Sequence, residues 1–97
     1  MKSIDIDSLV KKIEKEQLNI IDIRTYFEYQ YGRIPTAINI DKFFLIKTPE
    51  KYLKKEKTYY IYCNSGISSN RVVEVLNQKG YDTVNINGGY NNYLLRK

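Results

Sequence analysis

The stretch Thr58-Tyr59-Tyr60-Ile61-Tyr62-Cys63-Asn64-Ser65-Gly66-Ile67-Ser68-Ser69 decides how the rest of the chain folds. Its opening run, Thr58 to Tyr62, is β-branched or aromatic throughout, the composition of a buried strand. Cys63, the sole cysteine, follows at once, and then come small residues with Gly66 among them. Val72, Val73 and Leu76 next recur at the spacing of one helix face, in a pattern that Gly80 ends. Strand, tight loop and helix in this order set a thiol at the carboxyl end of a strand, facing a helix amino terminus. Unpaired backbone N–H groups and the positive end of the helix dipole favour an anion there. A thiolate so placed has a lowered pKa and is a nucleophile near neutral pH. The plain structural alternative is a small buried hydrophobe, the usual state of a free cysteine. The polar loop after Cys63 favours the nucleophile.

The whole chain narrows the chemistry further. Its 97 residues make one domain, 1–97, with an ordinary globular composition of 42% hydrophobic and 28% charged residues. No apolar run is long enough to cross a bilayer, so no membrane partner is expected. Met1-Lys2 leads into mixed charge without a signal-peptide core, which predicts a cytoplasmic protein. A single cysteine excludes an internal disulfide. The absence of histidine excludes a Cys–His dyad and any His-ligated metal site. The net charge of +5 beside ten tyrosines raises nucleic-acid binding, but no nucleic-acid motif accompanies it. A solvated lysine surface, with tyrosines at core edges, accounts for both. Such a positive field also concentrates small anions.

In chain order, Ile4-Asp5-Ile6 reads as an edge strand. Asp7 stands at a helix N-cap, with Leu9, Val10 and Ile13 on the apolar face through about Glu16. Asn19 to Ile23 is a buried strand, and Thr25-Tyr26-Phe27-Glu28 has the form of a capping box opening a short helix that Gly32 ends. Ile34-Pro35 is extended, and Ala37 to Ile40 is a third strand. Asp41 to Lys47 fits no single pattern, although Phe43, Phe44 and Leu45 need burial. Thr48-Pro49-Glu50 starts a helix running to about Lys54. Thr83 to Ile86 is the last strand, followed by Gly88-Gly89 and a short helix carrying Tyr90, Tyr93 and Leu94. Strands alternating with helices argue for a parallel sheet covered on both faces, whose site lies beyond the carboxyl ends of the strands.

Within Cys63–Ser68, successive N–H groups are able to converge on the sulfur as an anion nest, with Gly66 supplying a backbone angle closed to other residues. Such a nest suits a thiolate, an added outer sulfur or an oxyanion under attack. Ser65, Ser68 and Ser69 add hydroxyl donors, while Ser68 or Ser69 alternatively serves only as the helix N-cap.

These residues resemble the single-domain rhodanese-like family along nearly the whole chain. Ile21-Asp22-Ile23-Arg24 with Glu28-Tyr29, Gly32 and Ile34 to Ile40 resembles the family's amino-terminal signature. Tyr62 to Ser69 is similar to its active-site loop. Gly80-Tyr81-Asp82 and Val84 to Tyr90 resemble its carboxyl-terminal signature. The resemblance implies a three-layer α/β/α domain with a five-stranded parallel sheet. It implies a sulfurtransferase in which Cys63 takes a sulfane sulfur from thiosulfate or a protein persulfide. The sulfur is carried as a persulfide in the loop Asn64, Ser65, Gly66, Ile67, Ser68 and Ser69, then passed to a thiol or cyanide. This is covalent catalysis without a histidine base, and it calls for no metal and no cofactor. For Asp22, Arg24 and Glu28 the resemblance implies support of the architecture around the loop, and structural pairing is the preferred reading.

Four positions depart from the family pattern. Ser68 stands where many active relatives carry an arginine that anchors thiosulfate, Arg33 where histidine is common, Thr36 where glycine is common, and Tyr93 where tryptophan is usual. Two rival functions remain. A non-catalytic interaction module is one, against which an intact Cys63 and Gly66 argue. A cysteine-dependent phosphatase or arsenate reductase is the other, but those enzymes need arginine where this chain has Ser69.

Overall fold

A computed structural model describes residues 2–96. Five parallel strands form one sheet in the order β1-β5-β4-β2-β3, with β1 Ser3–Ile4, β2 Asn19–Asp22, β3 Ile38–Asn39, β4 Thr58–Tyr62 and β5 Asp82–Ile86. The five α-helices are α1 Ile6–Lys15, α2 Tyr26–Tyr31, α3 Lys42–Lys47, α4 Ile67–Gln78 and α5 Gly89–Leu95. Strand β4 is central and pairs with β2 on one side and β5 on the other. Because successive side chains of a strand point to opposite faces, the sheet feeds two cores. One gathers Ile21, Tyr59, Ile61 and Cys63 with Leu45 of α3 and Val72, Val73 and Leu76 of α4. The other gathers Ile20, Tyr62 and Ile86 with Ile6 and Leu9 of α1, and Tyr29 of α2 and Tyr90 of α5 lean on it. This is the three-layer architecture and the five-stranded parallel sheet expected from the sequence.

Local boundaries differ in instructive ways. The first strand is Ser3–Ile4, and helix α1 starts at Ile6 with Asp5, not Asp7, at its N-cap. Ile6 and Leu9 are both buried, so the apolar stripe of the helix begins earlier than its first polar candidate cap suggests. Asp41 to Lys47 resolves as a helix, because the Asp41 carboxylate accepts the backbone N–H groups of Phe43 and Phe44. Of its four large apolar residues Leu45 is buried and Ile46 half-buried; Phe43 and Phe44 are exposed, against expectation, because a two-turn helix presents just one face to α4. After Pro49 the chain makes a 3-10 turn, Pro49–Lys51, that stops short of Lys54. The capping box at Thr25 and Glu28 is complete, with each side chain accepting the other's backbone N–H. Thr36 holds a left-handed φ of 70°, a conformation that suits the glycine which the resemblance leads one to expect there.

Candidate active site

Strand β4 ends at Tyr62, and Cys63 lies at the carboxyl end of the sheet's central strand, 7% exposed. Its Sγ accepts hydrogen bonds from the backbone N–H of Gly66 at 3.1 Å and of Ser69 at 3.3 Å. The thiol in turn lies 3.4 Å from Ser69 Oγ. The N–H groups reach the sulfur because the chain reverses at Gly66, whose φ of 91° is closed to residues with a side chain. A Cβ there would also come within 2.8 Å of the Gly88 nitrogen. Burial pushes the Cys63 thiol up, but the Ser69 hydroxyl and the N–H groups of Ser69, Gly66 and Ser65 outweigh it and hold the thiol below its ordinary value. The convergent N–H groups thus favour the anion, as a nest does.

The loop is fastened from three sides. From behind, the first turn of α5 donates Tyr90 N–H to the Cys63 carbonyl and Asn91 N–H to the Asn64 carbonyl, both at 2.9 Å. Gly89 permits this approach, since a Cβ at that residue would collide with the Cys63 carbonyl oxygen. From β5, buried Asn85 accepts the Ser69 hydroxyl proton at 2.6 Å and donates its amide to the Gly66 carbonyl at 3.3 Å. From α2, Glu28 accepts the Asn64 side-chain amide at 2.7 Å. That bond, with those from Thr25, holds the Glu28 carboxyl below its usual range.

The predicted site residues therefore separate into groups. Gly66 and Ser69 meet Cys63 directly, and Asn64 anchors the loop to Glu28. Ser65 is exposed, its hydroxyl accepting the Ile67 N–H at 3.4 Å, and Ile67 itself is a 69% exposed rim residue. Ser68 faces outward, where its Oγ accepts from Lys42 Nζ at 3.1 Å. Neither Ser68 nor Ser69 caps α4; Gly66 occupies the N-cap position. Asp22 and Arg24 make no hydrogen bond to the loop. They form a buried ion pair, with Arg24 Nη2 2.7 Å from Asp22 Oδ2 and donating also to the Gly32 carbonyl at 2.6 Å. The guanidinium stacks 4.1 Å from the Tyr90 ring centroid. Tyr62 donates its hydroxyl to Asp22 at 2.6 Å and accepts the Ile34 N–H. Burial and the bond to Asp22 push that phenol well up, so it stays a donor. These residues form one buried polar cluster behind the end of β4, next to the core that α1 and α5 cover.

Asn85 and Lys42 escaped the sequence reading. For Asn85 a signal existed: an amide inside a strand covered on both faces needs buried partners, and its register partner is Ile61, two residues before the cysteine. For Lys42 no local signal existed, because its contact lies 26 residues away. Among the described residues no three His, Cys, Asp or Glu side chains gather as a metal site, and no helix is long and apolar enough to cross a membrane.

The chain is similar to known proteins in sequence and in fold. The family profile described as Rhodanese-like domain matches residues 5–96. YtwF of Bacillus subtilis (strain 168), named as a candidate sulfurtransferase, is 39% identical over 92 residues, covering 92% of this chain and 86% of that protein. A protein of Allochromatium vinosum named sulfurtransferase is 34% identical over 91 residues, covering 92% and 84% of the two chains. The crystal structure of a rhodanese-like domain protein from Staphylococcus aureus superposes with a TM-score of 0.87 at 38% identity, covering 96% of this chain and 91% of that one.

Proposed function

Because the chain belongs to the rhodanese-like domain family and its relatives carry sulfurtransferase names, we propose that it is a sulfurtransferase acting as one cytoplasmic domain with Cys63 as the sulfur carrier. In the first half-reaction the Cys63 thiolate attacks the outer sulfur of thiosulfate. A new S–S bond forms, the donor's S–S bond breaks, and sulfite leaves with the bonding pair. A protein persulfide serves equally as donor, its thiolate being the leaving group. In the second half-reaction a thiol or cyanide attacks the outer sulfur of the Cys63 persulfide, and the Cys63 thiolate departs.

The observation that carries this reading is the pair of backbone N–H groups, from Gly66 and Ser69, aimed at Sγ. They favour the attacking thiolate and equally a negatively charged persulfide. No proton need be removed by a base, which suits a chain without histidine. Oxyanion chemistry of the phosphatase kind lacks its clamp: Ser69 is committed to Asn85, and Arg71 points to the exposed face of α4. The test is intact-mass analysis after incubation with thiosulfate, or with a cysteine desulfurase plus cysteine. A gain of one sulfur that cyanide removes, absent in Cys63→Ser, is expected. No gain with either donor would overturn the reading and leave a non-catalytic interaction module.

A further inference from the structure

The mouth of the cysteine loop carries a cation that comes from a different element. Lys42 is the first residue of α3, fixed there because the Asp41 carboxylate caps the helix through Phe43 and Phe44 N–H. The rest of α3 is held against α4: Leu45 is fully buried, and Lys79, just past the end of α4, donates to the Ile46 carbonyl at 2.8 Å. From this platform Lys42 Nζ donates to Ser68 Oγ at 3.1 Å. Ser68 immediately precedes Ser69, whose N–H is bonded to the sulfur. An ammonium has three N–H donors, and this contact uses one.

The charges around it leave Lys42 free to meet a ligand. Among the described residues it takes part in no ion pair. The neighbouring Asp41 carboxylate is engaged with the α3 backbone, and Glu28 is tied to Asn64 and Thr25. Lys47, on the same helix, sits over the Phe43 ring instead.

We propose that Lys42, with Ser68 as its bridge, is the specificity-determining cation that draws small anions to Cys63. On the reading of Cys63 as a sulfur acceptor, the ligand class is an anionic sulfane-sulfur donor of the thiosulfate type. The ammonium and the Ser68 hydroxyl meet the charged oxygens of the donor, while its outer sulfur points inward to Sγ. Charge-assisted hydrogen bonds of this kind hold an anion without touching the nucleophile. The cation that this loop lacks at position 68 is thus supplied in space from α3.

Alkylation tests the cation independently of sulfur transfer. Iodoacetate is anionic and iodoacetamide neutral, so the ratio of their rates at Cys63 reads the charge at the mouth. Lys42→Met is expected to slow iodoacetate about fivefold while leaving iodoacetamide nearly unchanged, with Lys42→Arg restoring the ratio. The difference should shrink in high salt. Sulfur loading then names the ligand: Lys42→Met should raise KM for thiosulfate by a similar factor with kcat little altered. Equal iodoacetate-to-iodoacetamide ratios in wild type and Lys42→Met would overturn the proposal. A lost ratio with no sulfur loading in any variant, wild type included, would keep Lys42 as the anion-drawing cation and overturn the sulfurtransferase reading instead.

Discussion

Replacing Ser69 with alanine probes the most contested proton in the site. The Ser69 hydroxyl has one proton and two neighbours able to accept it, Asn85 Oδ1 at 2.6 Å and Cys63 Sγ at 3.4 Å. While the cysteine is a thiol, the serine donates that proton to Asn85 Oδ1 and the thiol donates to Ser69 Oγ. Once the cysteine ionises, the thiolate gains the hydroxyl only if Asn85 gives it up. A hydrogen bond to a charged group contributes about 1.5–3 kcal/mol and a neutral one about 1 kcal/mol. The difference, about 0.5–2 kcal/mol, is what the hydroxyl adds beyond the backbone N–H groups, or about two- to thirtyfold in thiolate population. Ser69→Ala should therefore move the alkylation midpoint of Cys63 upward, yet leave it below the free-cysteine value of about 8.5 because Gly66 and residue 69 still donate their N–H groups. The same change strands Asn85 Oδ1 in a site 2% exposed, at a cost of about 1–3 kcal/mol in stability. Iodoacetamide rates across the pH range and urea unfolding of the same variant measure the two effects. A midpoint and a stability both equal to wild type would refute the network, since neither the sulfur nor Asn85 would then depend on the hydroxyl.

Three further outcomes are expected. Thr36→Gly should stabilise the fold by about 0.5–1 kcal/mol in urea unfolding, because relief of a left-handed β-branched residue, about 1–2 kcal/mol, exceeds the added chain entropy of glycine. Arg24→Met should cost about 3–5 kcal/mol, since it leaves the fully buried Asp22 carboxylate without its cation; near-wild-type unfolding would show that Tyr62 and the backbone suffice. Cys63→Ser should match wild type in stability at acidic pH and fall behind as pH rises. The folded thiol is held below its unfolded value, so its contribution is full above the unfolded value and is lost as pH falls through the folded one. Melting temperatures of the pair on either side of neutrality check the sign.

How much of this was legible in the sequence depends on the range of the interaction that decides each feature. The sheet was legible because its strands are short runs of β-branched and aromatic residues, set apart by helices. The loop around Cys63 was legible because strand, cysteine, small residues and helix lie within one continuous stretch, and the capping box at Thr25 is complete within four residues. The start of α1 was misjudged because two acidic residues compete for the cap and only burial of Ile6 under the sheet decides between them. Helix α3 was not legible at all. Six residues give too little periodicity, and its exposed Phe43 and Phe44 mimic a core segment. The functions of Ser68 and Ser69 were left open between capping and contact. That choice rests on Asn85 and Lys42, which no local pattern joins to the loop.

The two serines, adjacent in sequence, have been divided between two tasks by the direction in which a helix turns. Successive residues of α4 point about 100° apart, so when Ser69 faces inward to Cys63 and Asn85, Ser68 must face outward. The inner serine faces the sulfur: its N–H donates to Sγ, and its hydroxyl lies between Sγ and Asn85. On the proposed reading the outer serine serves the approach of the donor: its hydroxyl accepts from Lys42 and not from any group on Cys63. Donor preference can therefore change through residues 42 and 68 without altering the acidity of Cys63. Arginine at 68 is then no substitute for a missing charge but a second cation beside Lys42. The two would repel, and Ser68→Arg should lower KM for thiosulfate far less in wild type than in a Lys42→Met background. Equal gains in both backgrounds would mean that Lys42 does not meet the donor.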